Sequence, residues 1–210
     1  MSHSTGRELA LFDFDGTLTD AESFGPFLEY VVPRWRRWLV IALVAPVVLA
    51  YRRGWLGGVP TRAVLTFFCL GGYPVARFRR AAQSFCRQWV DAHLRPETLA
   101  QLRTHQHAGH RVVVVSGNFE WLLAPWCRAH GVELLASRLQ VSGRRLSGRY
   151  LGPQCVGDHK AARLREHLDL EDFACVHAYG DTAEDAALLA LAHRRTYRGE
   201  PVVQGRPLPA

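Results

Sequence analysis

The sequence predicts an α/β fold: a parallel sheet with helices on both faces, interrupted after its first strand by an inserted α-helical cap. Three observations predict it. An apolar run, Leu9 to Phe12, breaks off into Asp13-Phe14-Asp15-Gly16-Thr17. From Pro96 onward, helix-like and strand-like segments alternate, which implies parallel pairing. Between these two regions, residues 20–95 carry helical patterning alone.

Taken in order, Leu9 to Phe12 reads as a buried strand, and strand alternation sends Asp13 and Asp15 to one side with Phe14 opposite. Phe24 to Val32 is apolar and aromatic. Arg34-Trp35-Arg36-Arg37-Trp38 leads into Leu39–Tyr51, an uncharged run containing Pro46 and closed by Arg52 and Arg53. Trp55, Gly57 and Gly58 mark a turn before a second apolar stretch, Val59–Tyr73, which carries Arg62. Phe78, Ala82, Phe85 and Trp89 recur at helical spacing, so Val75–Leu94 reads as an amphipathic helix.

Pro96–Ala108 has proline at a helix start and Gly109 at its end. Arg111–Val115 is a β-branched strand ending at Ser116-Gly117-Asn118. Phe119–His130 reads as a helix and Val132–Leu135 as a short strand. Arg138–Val141 and Leu146–Tyr150 form a hairpin around Ser142-Gly143. A helix, His159–Leu168, precedes a strand, Phe173–Tyr179, that ends in Gly180-Asp181. Thr182–Ala192 reads as a helix and Thr196–Arg198 as a last strand. The prolines and glycine after Gly199 suggest a loose tail. The expected division is a core of residues 1–19 and 96–200, a cap of 20–95 and a tail of 201–210.

Of 210 residues, 48% are hydrophobic, which supports a real core rather than disorder. Net charge is +7, a balance suited to anionic partners. The arginines are dispersed without a nucleic-acid-binding motif, so no nucleic acid is expected as a partner. Of the 26 Lys and Arg residues, Lys160 is the only lysine. That singles out a position where a compact ammonium is used in place of a planar fork. Five scattered cysteines without a Cys-x-x-Cys pair read as reduced thiols. With a polar Met1–Glu8, they point to a cytoplasmic catalytic side. His105, His107 and His110 crowd a helix end without the spacing of helix-borne metal ligands, and no metal is assigned to them.

If the sheet is parallel, Asp13, Asp15, Ser116 and Asp181 share its carboxyl edge, where such sheets bind ligands. Crowded carboxylates disfavour one another's ionisation. A hard divalent ion such as Mg²⁺ relieves this, and phosphoryl transfer is the chemistry that uses such a site.

Asp13-x-Asp15-x-Thr17, Ser116, Lys160 and Gly180-Asp181-x-x-x-Asp185, in that order, resemble the four motifs of the haloacid dehalogenase (HAD) superfamily. The resemblance extends to about Arg198 and implies its Rossmannoid core. The insert resembles the small helical caps of subfamily IB, which includes phosphoserine phosphatases. The resemblance implies that Asp13 is the nucleophile, forming an aspartyl-phosphate, and that Asp15 is the general acid and then base. Superfamily dehalogenases lack that second aspartate. Thr17, Ser116 and Gly117 would bind the phosphate, and Lys160 would neutralise it. Asp13, the Asp15 carbonyl and Asp181 would hold Mg²⁺, supported from behind by Asp185. Glu184 departs from the asparagine often found there in the phosphoserine enzymes.

Glu22 lies where those enzymes carry a glutamate that reads the substrate's amino group, but the Gly-x-x-Pro-Phe run expected downstream is absent. Glu22-x-Phe24-Gly25-x-Phe27, the long apolar cap and Cys155-Val156-Gly157 are more similar to phosphatidylglycerophosphatase C-like proteins. Trp38–Tyr51 reaches about 20 Å as a helix, short of the roughly 30 Å of bilayer hydrocarbon. Its arginine and tryptophan flanks suit an interfacial anchor. The expected function is a Mg²⁺-dependent phosphatase acting on a phosphorylated small molecule or a lipid headgroup, the latter at an anionic membrane surface. The alternatives are a wholly soluble, phosphoserine-type phosphatase and a non-catalytic, membrane-docked phosphate binder.

Overall fold

The computed structural model describes residues 6–203. Its main sheet contains β1 (Glu8–Phe12), β2 (Arg111–Phe119), β3 (Glu133–Ser137), β6 (Cys175–Gly180), β7 (Arg194–Tyr197) and β8 (Glu200–Val202). The order is β3-β2-β1-β6-β7-β8, parallel except for β8, which runs antiparallel to β7. A hairpin of β4 (Leu139–Ser142) and β5 (Arg145–Tyr150) stands apart from it.

Strand β1 shows why the sheet is sandwiched. Ala10 and Phe12 enter one hydrophobic cluster while Leu9 and Leu11 enter the other, and all four are fully buried. Alternating side chains therefore face two apolar layers at once. On the first face lie α5 (Pro96–His107) and α6 (Glu120–Ala129). On the second lie α7 (Asp158–His167) and α8 (Ala186–Ala190). Because β1 pairs with β2 on one side and β6 on the other, the chain order reverses at β1. Open sheets form their binding crevice at such a point.

The helical block comprises α1 (Phe24–Val31), α2 (Arg34–Arg52), α3 (Gly58–Leu70) and α4 (Val75–Phe85). The hairpin supports it from the core side. Gly72 donates to the Leu146 carbonyl at 2.8 Å, and Thr66 donates its hydroxyl to Tyr150 at 3.1 Å. Gly148 has φ +83° and sits against the Phe67 carbonyl, where a Cβ would come within 2.9 Å of that oxygen. Only glycine satisfies both conditions.

Several expectations need correction. The Val75–Leu94 helix is α-helical only to Phe85; a π-helical turn at Cys86–Val90 and a 3₁₀ turn at Asp91–His93 complete it. Strand β2 does not stop before Ser116 but continues to Phe119, with a register shift against β3 between Ser116 and Phe119. The Thr182–Ala192 helix opens as a 3₁₀ turn, because the Asp185 carboxylate caps its start. The expected tail contributes β8, whose pairing with β7 outweighs its proline; residues 204–210 lie outside the described residues. All five cysteines are free thiols, as their spacing suggested.

Helix α2 runs through Pro46 and buries only Val40 and Val44. Trp35 and Trp38 are 68% and 73% exposed, and Leu39, Ile41 and Leu43 are exposed beside them. Among the described residues, no helix is long and apolar enough to cross a membrane. Arg36 is turned inward: its guanidinium donates to the Phe68 and Gly71 carbonyls at 2.9 and 2.7 Å, holding the end of α3. It therefore serves packing rather than the outer face.

Candidate active site

Asp13 follows β1, Ser116 lies near the end of β2 and Asp181 follows β6, so three adjacent strands deliver three of the predicted residues to one edge. Lys160, in the first turn of α7, is 3% exposed and reaches across this edge. Its Nζ donates to Asp13 Oδ1 and, at 2.5 Å, to Asp185 Oδ1. The lone lysine is thus the shared cation of two buried carboxylates. Burial works against its charge, yet Asp13 and Asp185 more than compensate and push its pKa up.

Asp185 is saturated by protein donors. Its second oxygen accepts from the Asp181 and Thr182 backbone N–H groups at 3.1 and 3.0 Å and from the Thr182 hydroxyl at 3.1 Å. Such a residue fixes the loop that carries Asp181. Thr17 donates its hydroxyl to Asp181 Oδ1 at 2.9 Å. Thr17 therefore meets the acid directly, where the resemblance implied phosphate binding. Gly16, at φ +85°, lies so close to Asp181 that any Cβ would collide with its carboxylate.

Asp15 occupies a different environment. One oxygen accepts from the Ser23 N–H at 3.1 Å and the other from the Asn118 amide at 2.8 Å. Burial raises its pKa, and these donors limit the rise. The Asn118 amide also donates to the Ser23 hydroxyl, and the Asn118 N–H donates to the Ser116 hydroxyl. Sequence reasoning missed Asn118 and Ser23. The available signal was period two: once β2 continues past Ser116, Asn118 falls on the same side.

Asp13, Asp181 and Asp185 offer carboxylate oxygens within 4.8 Å of one another. Burial raises Asp13 well above the ordinary carboxylate range, with Lys160 opposing, and it raises Asp181 as well. Three acids around a single ammonium leave an excess of buried negative charge, which a divalent cation fits. Oxygen donors suit a hard ion such as Mg²⁺.

Above this floor is a cavity of about 260 Å³, bounded by Asp13, Lys160, Phe24, Tyr51, Arg62 and Glu184 among others. Glu22 also lines it, and burial raises its pKa. Arg62 of α3 approaches Glu184 at 3.3 Å and Glu22 at 3.9 Å. Arg62 was not anticipated as a site residue, since one arginine among many carries no sequence signal.

Fold and site define a parallel-sheet protein whose carboxyl edge is built around a buried aspartate, Asp13, and the lysine bonded to it. The chain belongs to the haloacid dehalogenase-like hydrolase family, whose sequence pattern matches residues 10–190. It is an enzyme of that family's phosphoric monoester hydrolase kind. It is 34% identical to protein CicA of Caulobacter vibrioides, over 99% of this chain and 92% of that protein. A histidinol-phosphatase of Neisseria meningitidis is 26% identical over 88% of this chain and 87% of its own. A solved protein of unknown function from Bordetella pertussis shares the fold at TM-score 0.75 and 24% identity, covering 91% of this chain and 89% of that one. Solved phosphoserine phosphatases share the fold too.

Proposed function

We propose that the chain hydrolyses a phosphate monoester through an aspartyl-phosphate on Asp13, with residues 20–95 acting as the cap that admits the substrate. The single observation that carries this is the buried Asp13–Lys160–Asp185 bridge at the sheet's carboxyl edge. An Asp13 oxygen attacks phosphorus as the bond to the leaving oxygen breaks. Asp15 donates its proton to that oxygen. Asp15 then takes a proton from water, whose oxygen attacks phosphorus and breaks the bond to Asp13, releasing phosphate. Lys160, Ser116 and the Gly117 backbone hold the phosphoryl oxygens. Asp13, Asp181 and the Asp15 carbonyl would hold Mg²⁺, which supplies charge neutralisation. Release of phosphate from a generic phosphomonoester tests the reading: it should require Mg²⁺ and stop with EDTA. Metal-independent turnover overturns it.

The donors on Asp15 lead to a second expectation. Asn118→Leu removes one stabiliser of the Asp15 carboxylate, so the Asp15 pKa rises further. In single-turnover phosphorylation of Asp13, the limb reporting loss of the Asp15 proton moves to higher pH. An unmoved limb separates Asn118 from the proton transfer.

For the substrate, two features support a lipid phosphate. The outer face of α2 is apolar and edged by Arg34, Arg52 and Arg53, a charge pattern complementary to anionic lipid. Phe24, which lines the site cavity, also lines an apolar cavity of about 440 Å³ under α2, walled by Leu28, Val40, Val44 and Leu49. The second reading, a small amine-bearing phosphomonoester, is supported by Glu22 and Glu184 facing Arg62. One panel separates them: phosphoserine, histidinol phosphate and phosphatidylglycerophosphate in vesicles. On the lipid reading, Trp35→Ser/Trp38→Ser/Leu43→Gln abolishes flotation with anionic vesicles and lowers lipid turnover about tenfold or more, at about 1.4 kcal/mol per factor of ten. Turnover of soluble esters stays unchanged. Wild-type protein that never floats removes the membrane reading.

A further inference from the structure

At the opposite, amino-terminal end of the sheet, His105 and His110 do not stand alone. The fold brings His177 of β6 to them, and one ring nitrogen from each of the three lies within 4.8 Å of the other two. His105 Nδ1 and His110 Nδ1 are 2.9 Å apart. Glu8 of β1 lies beside the group, with Oε2 at 3.6 Å from His110 Nδ1 and 2.7 Å from His177 Nε2. With His177 and Cys175 it forms an overlapping set whose ligand atoms also lie within 4.8 Å of one another. His107, the middle histidine of the sequence cluster, takes no part in this group.

We propose that His105, His110, His177 and Glu8 form a second metal site, of the three-histidine, one-carboxylate type that takes Zn²⁺. Tetrahedral zinc holds nitrogen and oxygen ligands at about 2.0–2.2 Å, which puts neighbouring ligand atoms about 3.3 Å apart. Three of the six pairwise spacings, 2.9, 3.6 and 2.7 Å, bracket that value. Without metal, the cluster is a hydrogen-bonded chain in which a single proton lies between the two Nδ1 atoms. Zinc displaces that proton and the one between His177 and Glu8.

Two further features prepare the site. Metal-binding histidines keep their other nitrogen hydrogen-bonded, and His105 Nε2 contacts the Tyr179 hydroxyl at 2.8 Å. Burial, with His177 and His110 beside it, also lowers the His105 pKa to about 4, leaving the ring neutral and free to coordinate. The ligands come from β1, the end of α5, the residue preceding β2, and β6, so the ion would clamp four segments. Glu8 opens β1 and Asp13 follows its end, five positions on and roughly 17 Å away at strand spacing, which makes the site structural rather than catalytic.

The test uses the full chain stripped with chelator and refilled with Zn²⁺ or Co²⁺, with Mg²⁺ in excess throughout. One equivalent of Zn²⁺ should bind below about micromolar Kd and raise Tm by several degrees. Co²⁺ should give the intense visible absorption of a tetrahedral site. His110→Ala and Glu8→Gln should each weaken binding about 10–100-fold while leaving phosphomonoester turnover unchanged. Asp13→Asn should bind Zn²⁺ as the wild type does. Absence of saturable Zn²⁺ binding, an octahedral Co²⁺ spectrum, or affinity unaltered in both variants overturns the site.

Discussion

On the proposed reaction, Asp13→Asn is expected to lower turnover by roughly 10⁴-fold or more while leaving the fold intact, since loss of a covalent nucleophile would remove the reaction path itself. The amide keeps the size of the carboxylate, so the packing around a residue only 6% exposed is preserved. Lys160 loses one anionic partner and keeps Asp185 at 2.5 Å. Burial already disfavours the Asp13 charge, so its removal should hold thermal stability level or raise it. Initial rates with a generic ester and a thermal melt decide the matter. An active variant with an unchanged melt would remove Asp13 as nucleophile.

Lys160→Met is expected to damage activity and stability together. The two carboxylates that share its ammonium would face each other unpaired, a change that costs about 3–5 kcal/mol in buried settings. The pH dependence has a definite sign. Burial raises Asp13, and losing the opposing ammonium raises it further. A carboxyl whose folded pKa exceeds its unfolded one weakens the fold above the unfolded value. Lowering the pH through the folded value protonates it and relieves that cost. The variant's deficit in urea melts should therefore shrink as the pH is lowered from neutral. Lys160→Arg should not restore activity, because the rigid guanidinium is larger than the ammonium in a site with 3% exposure. A pH-independent deficit would show that Lys160 acts through packing alone.

Much of this site is legible in the chain because strand ends are marked locally. Apolar runs that stop at Asp13-Phe14-Asp15 and Gly180-Asp181 mark both the strand and the residues it delivers, and the run before Ser116 marks the strand that carries it. Composition alone isolates Lys160. The places where the reading falls short share one cause. The continuation of β2 through Asn118 depends on its register with β3, and β8 depends on its neighbour β7. Neither strand end is encoded within its own segment. Arg62, Glu22 and Glu184 are separated by up to 162 positions and meet only because α3 packs over the sheet's carboxyl edge.

The amino-acid sequence by itself determined the α/β architecture, the helical insert and the convergence of Asp13, Asp15, Lys160, Asp181 and Asp185 at the sheet's carboxyl edge, because alternation and motif spacing are local properties. Tertiary structure alone decided which groups saturate those acids, which face of α2 is left outward and which histidines converge. Those outcomes depend on strand order and helix docking, which bring together side chains with no periodic relation along the chain.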